Sequence, residues 1–202
     1  MIRIISKVFS ARTMNMALEQ FGAVSLKDFV LFSLLGIIFV TMIVLIRRLL
    51  GKETEPSDIL TGIMLAVYMS IILQLTLVCR ADNSRIGIEL NIFHGLMGPD
   101  NDFHWLMLAY VILNCMLFIP YGFIWSLFSF VNSRRMLIQV ILVTLISFVT
   151  SLIIETAQLL TGRGYYEIQD LVFNTLGGII GWIVFYVVYG IGKRIAGKVV
   201  DR

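Results

Sequence analysis

The chain has 202 residues, 58% of them hydrophobic and 14% charged, with a formal net charge of +3 and a mean hydropathy of +0.91. Soluble domains average about 45 to 50% apolar residues by a count that includes Gly, so this composition excludes a single water-dissolved core. Alternating dyads of the outer-membrane barrel type are absent, which leaves helices as the only way to span lipid.

Residues 1–28 mix Ile2, Ile4, Ile5, Val8 and Phe9 with Arg3, Lys7 and Arg12. Two readings stand: a basic amphipathic segment lying on a membrane surface, or a basic terminus without fixed structure. The segment lacks the clean apolar core and small-residue cleavage site of a signal peptide. Five apolar runs follow: Phe29 to Ile46, Ile59 to Cys79, Trp105 to Phe128, Leu137 to Leu160 and Leu171 to Gly192. Each meets the roughly 17 to 25 residues that a spanning helix needs. The predicted fold is therefore all-α: a polytopic integral membrane helical bundle of about five transmembrane helices with short loops. The bundle covers residues 29–192, and residues 193–202 form a basic tail.

Cys79 and Cys115 fall inside apolar runs, where small buried thiols are the plain reading and a disulfide framework is not expected. His94 and His104 share a loop without a neighbouring Cys, short of the several closely spaced ligands that zinc recruits. Neither a metal nor a cofactor is expected, and no nucleic-acid partner. Lys and Arg placement sets the orientation, because cytoplasmic loops carry the excess. Arg12, Lys27, Arg80, Arg85 and Arg163 lie on the side of the N-terminus. Against them stand Arg47, Arg48, Lys52, Arg134, Arg135, Lys193, Arg194, Lys198 and Arg202. The balance predicts a multi-pass cell-membrane protein with a cytoplasmic C-terminus, its second and fourth loops facing outward.

In the third run, Asn114 shares a face with Tyr110, Tyr121 and Trp125. Pro120 removes the hydrogen bond to the Met116 carbonyl, so a kink is expected. The fourth run breaks the rule that a lipid-spanning segment holds no charge. Thr144, Ser147, Ser151, Glu155 and Gln158 form one stripe at helical spacing. Ser and Thr in such a stripe knit helices together, but Glu155 is different. A charge at bilayer depth costs roughly 2.5 to 3.5 kcal/mol on insertion scales and marks a working site.

The loop after it reads Thr161-Gly162-Arg163-Gly164-Tyr165-Tyr166-Glu167-Ile168-Gln169-Asp170. Arg163 could pair with Glu155, with Asp170 or with an anionic ligand, since its planar fork suits carboxylate and phosphate. Tyr165 and Tyr166 fit an interfacial aromatic belt. In the fifth run Asp170, Asn174, Gly177, Gly178 and Gly181 share a face. Asp170 is either a helix cap or a site carboxylate, and the glycines permit close helix approach. The candidate polar cluster is thus Glu155, Gln158, Arg163, Asp170, Asn174 and Asn114, in a cleft between the last three spans.

Asn114-Cys115-Met116-Leu117-Phe118-Ile119-Pro120-Tyr121-Gly122 resembles the N-x-x-L-F-x-P-x-G segment of VanZ-like membrane proteins. Glu155, Gln158, Arg163, Asp170, Asn174 and Gly177-Gly178 resemble that family's E-x-x-Q, loop Arg, D-x-x-x-N and glycine pattern. The VanZ-like core would span about 105–192. The family's loop before the fifth span is often more acidic than Glu167-Ile168-Gln169-Asp170, and the proline of its N-L-I-P-F-like segment is missing after Asn91.

The resemblance implies a cell-envelope protein lowering susceptibility to glycopeptides such as teicoplanin. Its outward-facing cleft would bind a membrane lipid headgroup, a lipid-linked cell-wall precursor or an envelope protein. An intramembrane enzyme acting on a lipid-linked phosphate is the alternative, with Glu155 as acid or base. No nucleophile–base pair or metal-ligand set is visible, so catalytic residues stay unassigned and the binding reading ranks first. A transporter with Glu155 as proton carrier ranks third, because inverted halves are lacking and a homo-oligomer would have to supply the symmetry.

Overall fold

Five helices long and apolar enough to cross a bilayer form on the five apolar runs, making this a multi-pass all-α membrane bundle. The computed structural model describes residues 10, 15, 25–80, 85–96 and 102–200. The surface-helix reading of residues 1–28 therefore lies largely outside the described residues.

Helix α1 (Leu26–Leu49) begins where the Ser25 hydroxyl accepts from the Asp28 amide at 3.3 Å, and it ends on Arg47 and Arg48. The cap satisfies one orphan N–H, and the arginines suit the negative end of the helix dipole. Helix α2 (Pro56–Leu73) opens on a proline, whose missing N–H has no partner to lose there. It then widens into a π-helical turn, Gln74–Val78, closed by the Cys79 amide on the Gln74 carbonyl at 2.9 Å. Helix α3 (Asp102–Leu127) passes through Pro120 unbroken, and the Tyr68 hydroxyl donates to the Leu117 carbonyl just before it at 2.7 Å.

After the short α4 (Ser129–Asn132) comes α5 (Met136–Thr161), which stops at Gly162 with φ +67°, a left-handed conformation that favours glycine. Helix α6 (Ile168–Val200) carries the fifth span as far as Ile191, and its helical backbone continues through the basic residues to Val200.

Two of the loops carry strands. β1 (Arg85–Glu89) and β2 (Arg163–Glu167) pair in parallel, with Arg85 opposite Arg163 and Glu89 opposite Glu167. Five crossings put the α2–α3 and α5–α6 connections on one membrane face, which is what lets these strands meet. No turn chemistry announces such a pairing, because the partners lie far apart in the chain and each strand is short.

The bundle core lies between α3, α5 and α6. A Cβ at Gly177 would overlap the Cys115 carbonyl, one at Gly181 the Ile119 carbonyl, and one at Gly122 the Gly178 carbonyl. The α3 and α6 backbones therefore meet directly, as the glycine spacing predicts. Ile72, Phe118, Tyr121 and Ile154 fill one cluster; Val131, Val143 and Trp182 fill another. Helix α1 stays peripheral. It rests on α2 through Gly36 on Ala66 and a 2.8 Å bond between the Ser33 and Ser70 hydroxyls, and it turns Leu34, Ile38 and Phe39 to the lipid.

Candidate functional site

The buried face of α5 is mostly polar: Gln139, Ser147, Ser151, Glu155 and Gln158, with Val143 and Ile154 between. Thr144, expected in that stripe, is only half-buried and donates to its own helix at the Val140 carbonyl, 2.7 Å away. The stripe instead continues to Gln139, whose Oε1 accepts from the Trp182 indole at 3.2 Å. Lipid offers polar groups no partner, so this face turns inward.

At the strand-bearing end Glu155 is 1% exposed, and its Oε2 accepts from the Glu167 backbone amide at 2.9 Å. That bond ties the α5 carboxylate to β2. Asp170, in the first turn of α6, is hydrogen-bonded by the Asn114 side chain of α3. The field of one guanidinium, Arg80, reaches both Glu155 and Asp170, and the Glu167 carboxylate adds a third negative group. Acidic groups whose fields reach one another in a low-dielectric setting repel, and the Arg80 charge offsets part of that repulsion.

Gln158 and Arg163 turn to α2. The Gln158 amide donates to the Thr76 carbonyl at 2.9 Å, and Arg163 donates to the Leu77 carbonyl at 3.1 Å. These carbonyls lie in the π-helical turn, at the end of a helix that leaves its last carbonyls without intrahelical donors. Arg163 thus supplies a donor and a positive charge where the dipole favours both. Asn174 joins the cluster from α6, its Nδ2 donating to the Ser151 hydroxyl at 2.9 Å.

The six candidate residues lie on α3, α5, β2 and α6, in four pairings: Glu155 with β2, Asp170 with Asn114, Gln158 and Arg163 with α2, and Asn174 with Ser151. Buried polar atoms remain without a hydrogen-bond partner in the protein: Gln158 Oε1, Asn174 Oδ1 and, beside Asp170, Gln169 Nε2. Each such atom costs about 1 to 3 kcal/mol unless a water or a ligand satisfies it.

Sequence reasoning missed Arg80, counting it only toward orientation. The signal was present: it is the first residue past the second apolar run, on the same membrane side as Glu155. Its guanidinium lies against β2, since a Cβ at Gly164 would be 2.8 Å from one of its nitrogens. Tyr165 lays its ring over Gly87 of the neighbouring strand, a role beyond that of a belt residue. His94 pairs with Glu89 at 3.3 Å, and His104 meets the Gly95 carbonyl at 3.1 Å. Among the described residues no group of three or more His, Cys, Asp or Glu side chains could hold a metal ion.

An inward polar stripe and a two-stranded ladder bonded to it through Glu155 mark a polytopic helical membrane protein with a buried polar cluster. The chain belongs to the VanZ/LLP1 family, whose model matches residues 63–189, and it is a VanZ-like protein of the kind associated in general with teicoplanin resistance. That match runs from within α2 to within α6 and takes in every candidate residue. No curated protein and no solved structure matches the chain.

Proposed function

We propose that this chain is an envelope factor whose outward-facing polar cleft binds a lipid-linked cell-wall precursor or lipid headgroup and thereby lowers susceptibility to glycopeptides such as teicoplanin. The observation that carries this reading is the convergence of Glu155, Asp170 and Arg80 beneath the β1–β2 ladder, with unpartnered amide atoms on Gln158 and Asn174 beside them. A guanidinium and free amide groups suit a headgroup that offers both acceptors and donors.

The test is teicoplanin susceptibility in a deletion strain complemented with wild type, Glu155→Gln or Arg80→Gln, each at matched membrane levels. Wild type should lower susceptibility, and each variant should lose at least most of that effect. Equal susceptibility in all strains would refute the proposal.

The clustering of carboxylates around one guanidinium favours a second reading, an enzyme acting on a lipid-linked phosphate. Glu155 would move the proton while Arg80 holds the anion. Headgroup loss from an isoprenoid phosphate incubated with purified protein distinguishes it from binding.

A further inference from the structure

The opposite end of the bundle carries a different feature. The apolar sides of α1 and α2 and the α3–α4 junction enclose a groove of about 630 Å³. Phe39, Leu65, Trp125 and Phe128 wall it, and the close Gly36–Ala66 and Gly62–Val40 contacts keep α1 and α2 together behind it. The groove adjoins a second cavity of about 490 Å³ lined by Arg48, Lys52 and Glu53, and the two share Val44, Thr54 and Ile59. An apolar slot thus leads directly into a cationic pocket.

The charges around the junction are unequal. Arg47, Arg48 and Lys52 face Glu53, while the backbone carbonyl of Glu53 already accepts from Arg47 at 3.3 Å. Asp58 also lines the slot, but its carboxylate accepts from the Ser129 amide at 2.7 Å and so caps α4. The Thr54 hydroxyl oxygen, shared by both cavities, is buried and has no partner in the protein. The Lys and Arg balance predicts that this end lies at the cytoplasmic leaflet, where anionic lipids give basic groups about 1 kcal/mol each, or roughly fivefold.

We propose that the groove and pocket together hold one anionic phospholipid of the surrounding bilayer. An acyl chain lies against Phe39, Leu65 and Trp125, and the phosphate meets Arg48, Lys52 and the Thr54 hydroxyl. The site is separate from the Glu155 cluster and independent of the function proposed for it.

Trp125 reports on the occupant. The full chain, reconstituted in phosphatidylcholine vesicles, is titrated with phosphatidylglycerol brominated on one acyl chain and, separately, with brominated phosphatidylcholine. Fluorescence quenching is read as the difference between wild type and Trp125→Phe. Brominated phosphatidylglycerol should quench at about fivefold lower mole fraction than brominated phosphatidylcholine, the effect of the one net positive charge that Arg48 and Lys52 leave over Glu53. The Arg48→Gln/Lys52→Gln double variant should bring the two curves together, as should 1 M NaCl on wild type, where the screening length falls to about 3 Å. Coincident wild-type curves overturn the proposal, as does a contrast that survives both the double variant and high salt. Quenching by neither lipid, the result expected if a second copy of the chain fills the groove, overturns it too.

Discussion

Gly178→Ala tests the idea that glycines, rather than polar contacts, set how close α6 comes to its neighbours. A Cβ at this position meets a single neighbour, Ser147 of α5. Turning the Ser147 hydroxyl away does not relieve the clash, because the Ser147 Cβ would still lie 2.7 Å from the new methyl. Overpacking of this kind costs about 1 to 3 kcal/mol, and a fixed helix backbone behind both atoms puts it at the upper end. Alanine returns about 1 kcal/mol of helix propensity over glycine, so the expected net loss is about 2 kcal/mol.

Ser147→Gly removes both offending atoms. The double variant should recover at least about 1 kcal/mol as coupling energy. Gly177→Ala is the control, since its Cβ meets the Cys115 backbone carbonyl, which no change at Ser147 relieves. The measurement is reversible unfolding in mixed micelles followed by circular dichroism. A neutral Gly178→Ala, or a Ser147→Gly that rescues Gly177→Ala as well as Gly178→Ala, refutes the reasoning.

Glu155→Ala leaves the Glu167 amide without its acceptor, whereas Glu155→Gln keeps an oxygen in place. The alanine variant should be less stable than the glutamine variant by roughly 1 to 3 kcal/mol in the same unfolding assay, and equal stability would show that the 2.9 Å bond contributes nothing. Topology is checked in a background with Cys79 and Cys115 replaced by alanine. A membrane-impermeant maleimide added to intact cells should label Ile88→Cys, on an exposed strand position, and not Lys52→Cys. The reverse pattern would place the carboxylate cluster in the cytoplasm and remove the outward-facing premise of the proposed function.

The polar positions were legible because lipid makes polarity costly. Glu155 and Gln158 stand out against Leu and Ile at helical spacing, and both end up 1% exposed. The glycine face of α6 was legible for a related reason, since only backbone-to-backbone packing calls for three glycines on one face. The ladder of β1 and β2 was not. It forms between short segments at the membrane surface, where water satisfies either conformation and periodicity carries little information. Nor was the bond from Arg163 to the Leu77 carbonyl legible: that acceptor is a backbone group of the π-helical turn, and no side-chain pattern encodes it.

The same stripe bears on the transport alternative. A proton carried by Glu155 needs polar groups or water along the rest of α5, and Ser151 and Ser147 begin such a path. Beyond Ser147, however, comes Val143, fully buried against Val131 and Trp182. The next polar group, Gln139, has its amide donating to the Asn132 and Arg134 carbonyls at 3.0 and 2.8 Å and its oxygen held by Trp182. That end is therefore a structural clamp on the α4–α5 turn, and close packing of three apolar side chains separates it from the site. A polar column interrupted by an apolar seal suits a binding site at one end and weighs against a conducting path. Val143→Ser tests the seal in proteoliposomes: proton leak with the wild-type chain should match that of protein-free vesicles and should rise in the variant, and a wild-type chain that already conducts would restore the transport reading.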